Sequence, residues 1–319
     1  MCLKGLNEVL KSENDTLKEA KTKYMMMWNK AEQEKTKIKN SRNLLSRPAT
    51  VTKSMLVSNS LMATDILELQ HSMFSSQVQE EIIGQGRFGV CKIKTFRGTQ
   101  VAVKEFKDLN ISKTEVLNEA KILANLKHIS LPILFGVITK GSPFCIVTQF
   151  YGINGKSVTL HSILSEKSFL CTFFKANVYR YLYQLTDAIC YLHSKKVIHN
   201  DIKTDNVLVV EESGPVVEYA PVLIDFGKAK YAAATKIKKL SEREKKFYKK
   251  HHSHIAPEVI DGTHRPSVKS DVFSFGVIAK KLSCIVERNL DDICSCCLAS
   301  VRERYNSSMV KELVHTYIA

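Results

Sequence analysis

One short segment, Ile198-His199-Asn200-Asp201-Ile202-Lys203-Thr204-Asp205-Asn206, holds a carboxylate, a lysine two residues on and a carboxamide five residues on. The set suits chemistry on a hydroxyl. Asp201 would orient the hydroxyl and take its proton, Lys203 would meet an anionic group, and the amide oxygen of Asn206 would bind a hard cation. Downstream, the apolar run Val222-Leu223-Ile224 leads into Asp225-Phe226-Gly227. A carboxylate at a strand end is a second oxygen ligand for such a cation, and the glycine permits a hinge. Upstream, Val101-Ala102-Val103-Lys104 puts a lysine on an apolar strand, and a half-buried ammonium needs an anion beside it. Glu119, on the next helical pattern, supplies one; Glu115, a turn earlier, is its rival, and the register of Leu123 and Leu126 favours Glu119.

Gly84-Gln85-Gly86-Arg87-Phe88-Gly89 is a GxGxxG run. Its setting is strand before and strand after, which disfavours a dinucleotide-binding turn and favours a flap whose amides lie over phosphates. Ala256-Pro257-Glu258 and the helix opening Ser270-Asp271-Val272-Phe273-Ser274-Phe275-Gly276 complete the set. Each fragment alone has a plain structural reading: a surface lysine, a turn-forming aspartate, a strand-ending turn. In this order they resemble the eukaryotic protein-kinase family, over residues 79–319.

The resemblance implies ATP and Mg²⁺ as cofactors and transfer of the γ-phosphate to a protein hydroxyl. Asp201, Lys203, Lys104 and Glu119 would be catalytic. Ile83, Gly84, Gln85, Gly86, Arg87, Phe88, Gly89, Cys91, Ala102, Lys104, Thr148, Gln149 and Tyr151 would hold the nucleotide, with Thr148 as gatekeeper. Asn206 and Asp225 would bind the metal. Lys203, two residues past Asp201, resembles serine/threonine kinases more than tyrosine kinases. A pseudokinase scaffold is the alternative, and five intact positions (Lys104, Glu119, Asp201, Asn206, Asp225) speak against it. The chain also departs from the family. Cys91 stands where valine is usual, and Asn200 replaces the arginine that grips a phosphorylated activation loop. His251-His252-Ser253-His254 lacks the threonine and tyrosine usual before Ala-Pro-Glu, and the helix after the Gly276 helix is short or missing. Arg304 stands where the family places the partner of Glu258.

The elements that must position these residues follow from periodicity. Strands are expected at Glu81–Ile83, Val90–Phe96 and Val101–Phe106, with a turn at Arg97-Gly98-Thr99. Helices are expected at Lys113–Leu126, Asn177–His193 and Val272–Leu282. A β-rich front and a helical rear predict an α+β, two-lobed architecture at 78–319: a small antiparallel lobe (78–148), a hinge (149–152) and a mainly helical lobe (153–319). Residues 1–47 carry apolar side chains at sevenfold spacing (Leu3, Leu10, Leu17, Tyr24, Ala31, Ile38, Leu45). The second seam is interrupted by Glu13 and Glu34, so a coiled coil joining two copies through residues 3–45 and a single amphipathic helix stay open as readings. Residues 48–77 read as a linker with a short helix near Leu61–Leu69.

Composition bounds the rest. The net charge is +15. Between Lys228 and Lys250 ten basic residues meet only Glu242 and Glu244, a local excess of +8. No nucleic-acid motif accompanies it, so the plain reading is a solvated basic loop, with an acidic protein substrate as the functional one. A capping box at Ser241-Glu242-Arg243-Glu244 predicts a short helix there. No apolar run is long enough to span a membrane, and the first ten residues lack a signal's apolar core. Nine scattered cysteines without zinc spacing fit reduced thiols and a cytoplasmic chain.

Overall fold

The computed structural model describes residues 66–75, 81–86, 89–107, 111–166, 170–212, 218–286 and 289–318. The expected helix over 1–47 and the expected nucleotide contacts Arg87 and Phe88 lie outside them. The front lobe is a twisted antiparallel sheet of β1 (Phe74–Ser75), β2 (Glu81–Gly86), β3 (Gly89–Phe96), β4 (Thr99–Phe106), β5 (Leu134–Ile138) and β6 (Phe144–Gln149). Its order is β1-β3-β4-β6-β5, with β2 on β3. The β3–β4 hairpin closes through Arg97 and Gly98 at φ 50° and 80°, the two left-handed residues that a tight hairpin turn needs. Alternation along β4 then decides where Lys104 goes. Val101 and Val103 face a small core with Leu69, Phe96, Ile138 and Val147, so Ala102 and Lys104 face the other side. Helix α1 (Lys113–Ala124) covers that side, burying Val116, Ala120 and Leu123.

The segment before the sheet differs from the expected linker. Residues 66–70 are not helical: Leu67 and Leu69 exchange main-chain hydrogen bonds with Val137, at 2.9 and 2.7 Å, in parallel with β5. The Glu68 carboxylate accepts from the Thr139 amide (2.7 Å), its hydroxyl (2.8 Å) and the Lys140 amide (3.0 Å). Gly136 makes this approach feasible, since a Cβ there would lie 2.4 Å from the Leu67 carbonyl oxygen. Leu69 is thereby buried in the front-lobe core.

The rear lobe contains α2 (Leu160–Glu166), α3 (Leu170–Ser194, kinked at Asn177), β7 (Val197–Ile198), β8 (Val207–Glu212), β9 (Glu218–Leu223), β10 (Lys230–Tyr231), α4 (Glu242–His251), α5 (Pro257–Ile260), α6 (Val268–Ser283), α7 (Asp291–Leu298) and α8 (Ser307–His315). The expected apolar face of α3, Tyr181, Leu185, Ala188, Ile189 and Leu192, is fully buried, in one core with Val272, Phe275 and Ile278 of α6 and Val310 of α8. Burying each large side chain contributes about 1.5–3 kcal/mol. Helix α7 crosses α6 at Gly276, where a Cβ would come within 2.5 Å of the Cys297 side chain. Among the described residues no helix lies between Ser283 and Asp291, as the short spacing predicts. The predicted capping box is formed: Ser241 Oγ accepts from the Glu244 amide (3.3 Å) while Glu244 accepts from the Ser241 amide (2.8 Å).

Two hydrogen-bonded anchors fasten the loops to this scaffold. Arg304 donates to both oxygens of Glu258, at 2.5 and 3.2 Å, a largely buried pair that ties the end of the 227–258 segment to the chain before α8. Asp271, near the start of α6, accepts from the main-chain amides of His199 (2.8 Å) and Asn200 (3.0 Å) and from His193 Nε2 (3.1 Å).

Candidate active site

Those amide bonds from Asp271 set the loop that carries Asp201. His199 is wholly buried and meets Phe226 edge-on, ring centroids 4.8 Å apart. Its Nδ1 accepts from the Asp201 amide (3.3 Å) and its Nε2 donates to the Ile224 carbonyl (3.2 Å). Burial keeps the ring neutral by pushing its pKa down. Asn200 follows at φ 65°, a left-handed conformation that asparagine tolerates better than most side chains. The turn delivers Asp201 with only 3% of its surface exposed.

The Asp201 carboxylate is closely dressed. Oδ1 accepts from Lys228 Nζ (2.8 Å) and His254 Nε2 (3.2 Å), and Oδ2 accepts from Asn206 Nδ2 (3.1 Å). Lys203 Nζ stands 3.8 Å from Oδ2, close enough for attraction but not for a hydrogen bond. Burial works against the charge, but His254, Lys228 and Lys203 outweigh it and hold the group well below the ordinary carboxylate range. Asn206 Nδ2 also donates to the Asp201 carbonyl (2.8 Å), which leaves its amide oxygen open to another partner.

Lys104 closes the front of the site. Its Nζ donates to Glu119 Oε1 (2.9 Å) and Oε2 (3.1 Å) and to Asp225 Oδ1 (2.7 Å). Burial opposes the ammonium charge, yet the two carboxylates prevail and raise its pKa above the lysine norm. Burial raises the Glu119 pKa despite Lys104, whereas at Asp225 the attraction of Lys104 exceeds the burial penalty and lowers it. Glu115 is decided against as the partner: its carboxylate accepts from the Ser112 amide and hydroxyl (both 2.9 Å), completing the cap of α1. Asp225 sits at φ 64° with its second oxygen clear of Lys104.

The expected roof is β2 and β3. Cys91 pairs with Lys104 across the hairpin and Ala102 with Thr148 across β4 and β6, so the three strands bring Cys91, Ala102 and Thr148 together. Burial pushes the Cys91 thiol up to about 11. Gly89 admits no side chain, since a Cβ would lie 1.9 Å from the Glu105 carbonyl oxygen. Gln149 follows Thr148 at the end of β6, and the Tyr151 hydroxyl accepts from the Ile133 amide (3.3 Å), so its ring braces the linker between lobes. A cavity of about 640 Å³ adjoins the site, bounded by Glu119, Phe226, Thr235, Tyr248 and Val259, and none of the expected nucleotide contacts lines it.

Three residues of the site went unassigned in the sequence reading. Lys228 and His254 sit on Asp201, and Asp271 holds its loop. In the sequence His254 stands in a stretch that departs from the family pattern, and Lys228 in a run of basic residues. The visible signal was a lysine directly after Asp225-Phe226-Gly227.

Comparison with known proteins agrees with this geometry. The protein kinase domain family matches residues 77–289. A leaf rust 10 disease-resistance locus receptor-like protein kinase of Arabidopsis thaliana is 31% identical over 63% of this chain, and the match covers 30% of that protein. Tyrosine-protein kinase Btk of Drosophila melanogaster is 32% identical over 62% of the chain and 23% of its own length. Mitogen-activated protein kinase kinase kinase 7 of Bos taurus is 28% identical over 67% of the chain and 34% of its own length. The matches thus span about a third or less of these relatives. A matched region that takes in the glycine-rich strands, Lys104, the Asp201 loop and Asp225 leaves one assignment: the chain belongs to the protein kinase family.

Proposed function

We propose that this domain transfers the γ-phosphate of Mg-ATP to a serine or threonine hydroxyl of a protein. The observation that carries the reading is the joint placement of five groups: Lys104 paired with Glu119, Asp225 beside it, and Asp201 bonded to Asn206. Asp201 holds the hydroxyl and takes its proton, while Lys203 stands beside it to neutralise the transferring group. Lys104 holds the nucleotide's inner phosphates, and Glu119 keeps that ammonium from swinging away. The Asn206 amide oxygen and the free Asp225 oxygen are hard donors that fit Mg²⁺, which tolerates few protein ligands and takes phosphate oxygens for the rest. When bound, the ion neutralises phosphate charge in the transition state. Serine/threonine preference is supported by Lys203 two residues past Asp201; among the relatives one name reads tyrosine-protein kinase and another, from Acanthamoeba polyphaga mimivirus, putative serine/threonine-protein kinase/receptor.

The same reading gives the domain an acidic protein substrate, met by the basic surface of α4, and a homodimer through residues 3–45. The free cysteines among the described residues fit a reducing, cytoplasmic setting. Among those residues no helix is long and apolar enough to cross a membrane. The test is phosphate incorporation from labelled ATP by the whole chain. Lys104→Met and Asp225→Asn should abolish transfer and keep a cooperative melt, and Asp201→Asn should lose roughly 10²–10⁴-fold. Wild-type turnover no faster than that of Asp225→Asn would leave the scaffold as the better reading.

A further inference from the structure

The geometry points to Lys228 and His254 as positioning residues that fill one oxygen of Asp201 and confine the acceptor hydroxyl to the other. The inference rests on the kinase reading above and deepens it. A carboxylate offers about four acceptor sites, two per oxygen. At Oδ1 both are used, by Lys228 Nζ (2.8 Å) and His254 Nε2 (3.2 Å). At Oδ2 one is used, by Asn206 Nδ2 (3.1 Å). Lys203 Nζ, at 3.8 Å, is too far to use the last one. The one open acceptor on Asp201 is therefore on Oδ2, the oxygen beside Lys203. A hydroxyl received there lies next to the cation assigned to the transferring phosphate; a hydroxyl received at Oδ1 would not.

Both donors are held by the fold at their backbones. The His254 side chain is 12% exposed, and its carbonyl is fixed by the Ser274 hydroxyl of α6 at 2.6 Å. Lys228 is 46% exposed at its side chain, but Asn200 Nδ2 holds its carbonyl at 3.0 Å. Asn200 thus works through the backbone of Lys228. The two donors come from the start and the end of the 227–258 segment, so both ends of that segment converge on one oxygen. They also stop the carboxylate from turning about its Cβ–Cγ bond, which would exchange Oδ1 for Oδ2.

Losing either donor opens a second acceptor site and frees that rotation. Misplacement of about 1 Å in a reacting group costs up to about 10²-fold in rate, so kcat should fall roughly 10- to 100-fold. Peptide binding does not depend on which oxygen receives the hydroxyl, so KM should stay within about twofold. The experiment measures kcat and peptide KM for the whole chain carrying Lys228→Met, His254→Phe, Lys228→Arg or His254→Gln, with melting temperature as the control for folding. Lys104→Met serves as the dead enzyme. The expected result is a loss in kcat alone for Met and Phe, largely restored by Arg and Gln, which still donate. The proposal is overturned if Lys228→Met or His254→Phe keeps kcat within about twofold of wild type. It is equally overturned if the loss falls in KM, or if Arg and Gln lose as much as Met and Phe. A wild type no better than Lys104→Met would instead remove the kinase reading itself, a separate and recognisable failure.

Discussion

Replacing Asp271 by asparagine changes one atom and tests how the site is held. The Asp271 side chain is 1% exposed and accepts three hydrogen bonds, two at Oδ2 (His199 amide, His193 Nε2) and one at Oδ1 (Asn200 amide). Asparagine has a single oxygen. In its better orientation that oxygen keeps His199 and His193, and an NH₂ group is turned against the Asn200 amide. One charge-assisted bond is lost, about 1.5–3 kcal/mol, and a buried donor is left without an acceptor, another 1–3 kcal/mol or so. We expect Asp271→Asn to cost about 3–5 kcal/mol, a large part of the 5–15 kcal/mol or so typical of a domain. The freed amides belong to the two residues just before Asp201, so kcat should fall as well under conditions where the variant is folded. Urea unfolding followed by circular dichroism gives the stability, and labelled-phosphate transfer gives kcat. A variant within about 1 kcal/mol of wild type, with the same urea dependence and undiminished kcat, would refute the claim that these bonds set the loop.

Three further outcomes are expected. The His128 hydrogen bond lowers the Asp187 pKa, with Lys311 assisting against burial, from the ordinary 3.8 to about 2. A depressed carboxylate stabilises the fold above its ordinary value and loses that contribution as pH falls through the folded one. Urea midpoints should therefore decline from about pH 4 to 2, and Asp187→Asn should flatten that decline. In the basic stretch, Lys245 and Lys249 are committed to Glu242 and Asp261 (both 2.7 Å), whereas Lys246 and Lys250 have no ion pair among the described residues. Acidic peptides should be favoured, and Lys246→Ser with Lys250→Ser should erase that preference, as should salt that shortens a Debye length of about 8–10 Å; a panel won by basic peptides would refute it. Light scattering should find a dimer of the whole chain that Leu10→Asp with Leu17→Asp converts to a monomer, and equal masses would reduce residues 3–45 to a single helix.

What could be read from the sequence was whatever is local in the chain. The hairpin that carries Lys104, the capped helix α4 and the buried face of α3 each depend on neighbours within a few residues, and each lies where expected. Glu119 rather than Glu115 pairs with Lys104, and the cap that occupies Glu115 at Ser112 is itself a local feature of the sequence. Residues 66–70 are extended rather than helical, and nothing periodic in them says so; their form comes from the edge of β5 and from Gly136, far along the chain.

The Asp201 site shows the same limit where it matters most for function. Of its three donors only Asn206 is near in the chain; the other two lie 27 and 53 positions away, and no spacing rule joins them to it. In the sequence, the asparagine at 200 looks like the loss of a cation that would have gripped the 227–258 segment. Lys228 brings a positive charge to the same loop from the segment itself, and Asn200 holds the backbone of Lys228 in place. An arginine at position 200 would wait for a phosphate before drawing that segment in, whereas Lys228 and His254 draw it onto Asp201 with no added charge. Taken position by position, Asn200 is a missing cation and Lys228 a loop charge; the hydrogen bond that joins them across 28 positions exists only in the fold.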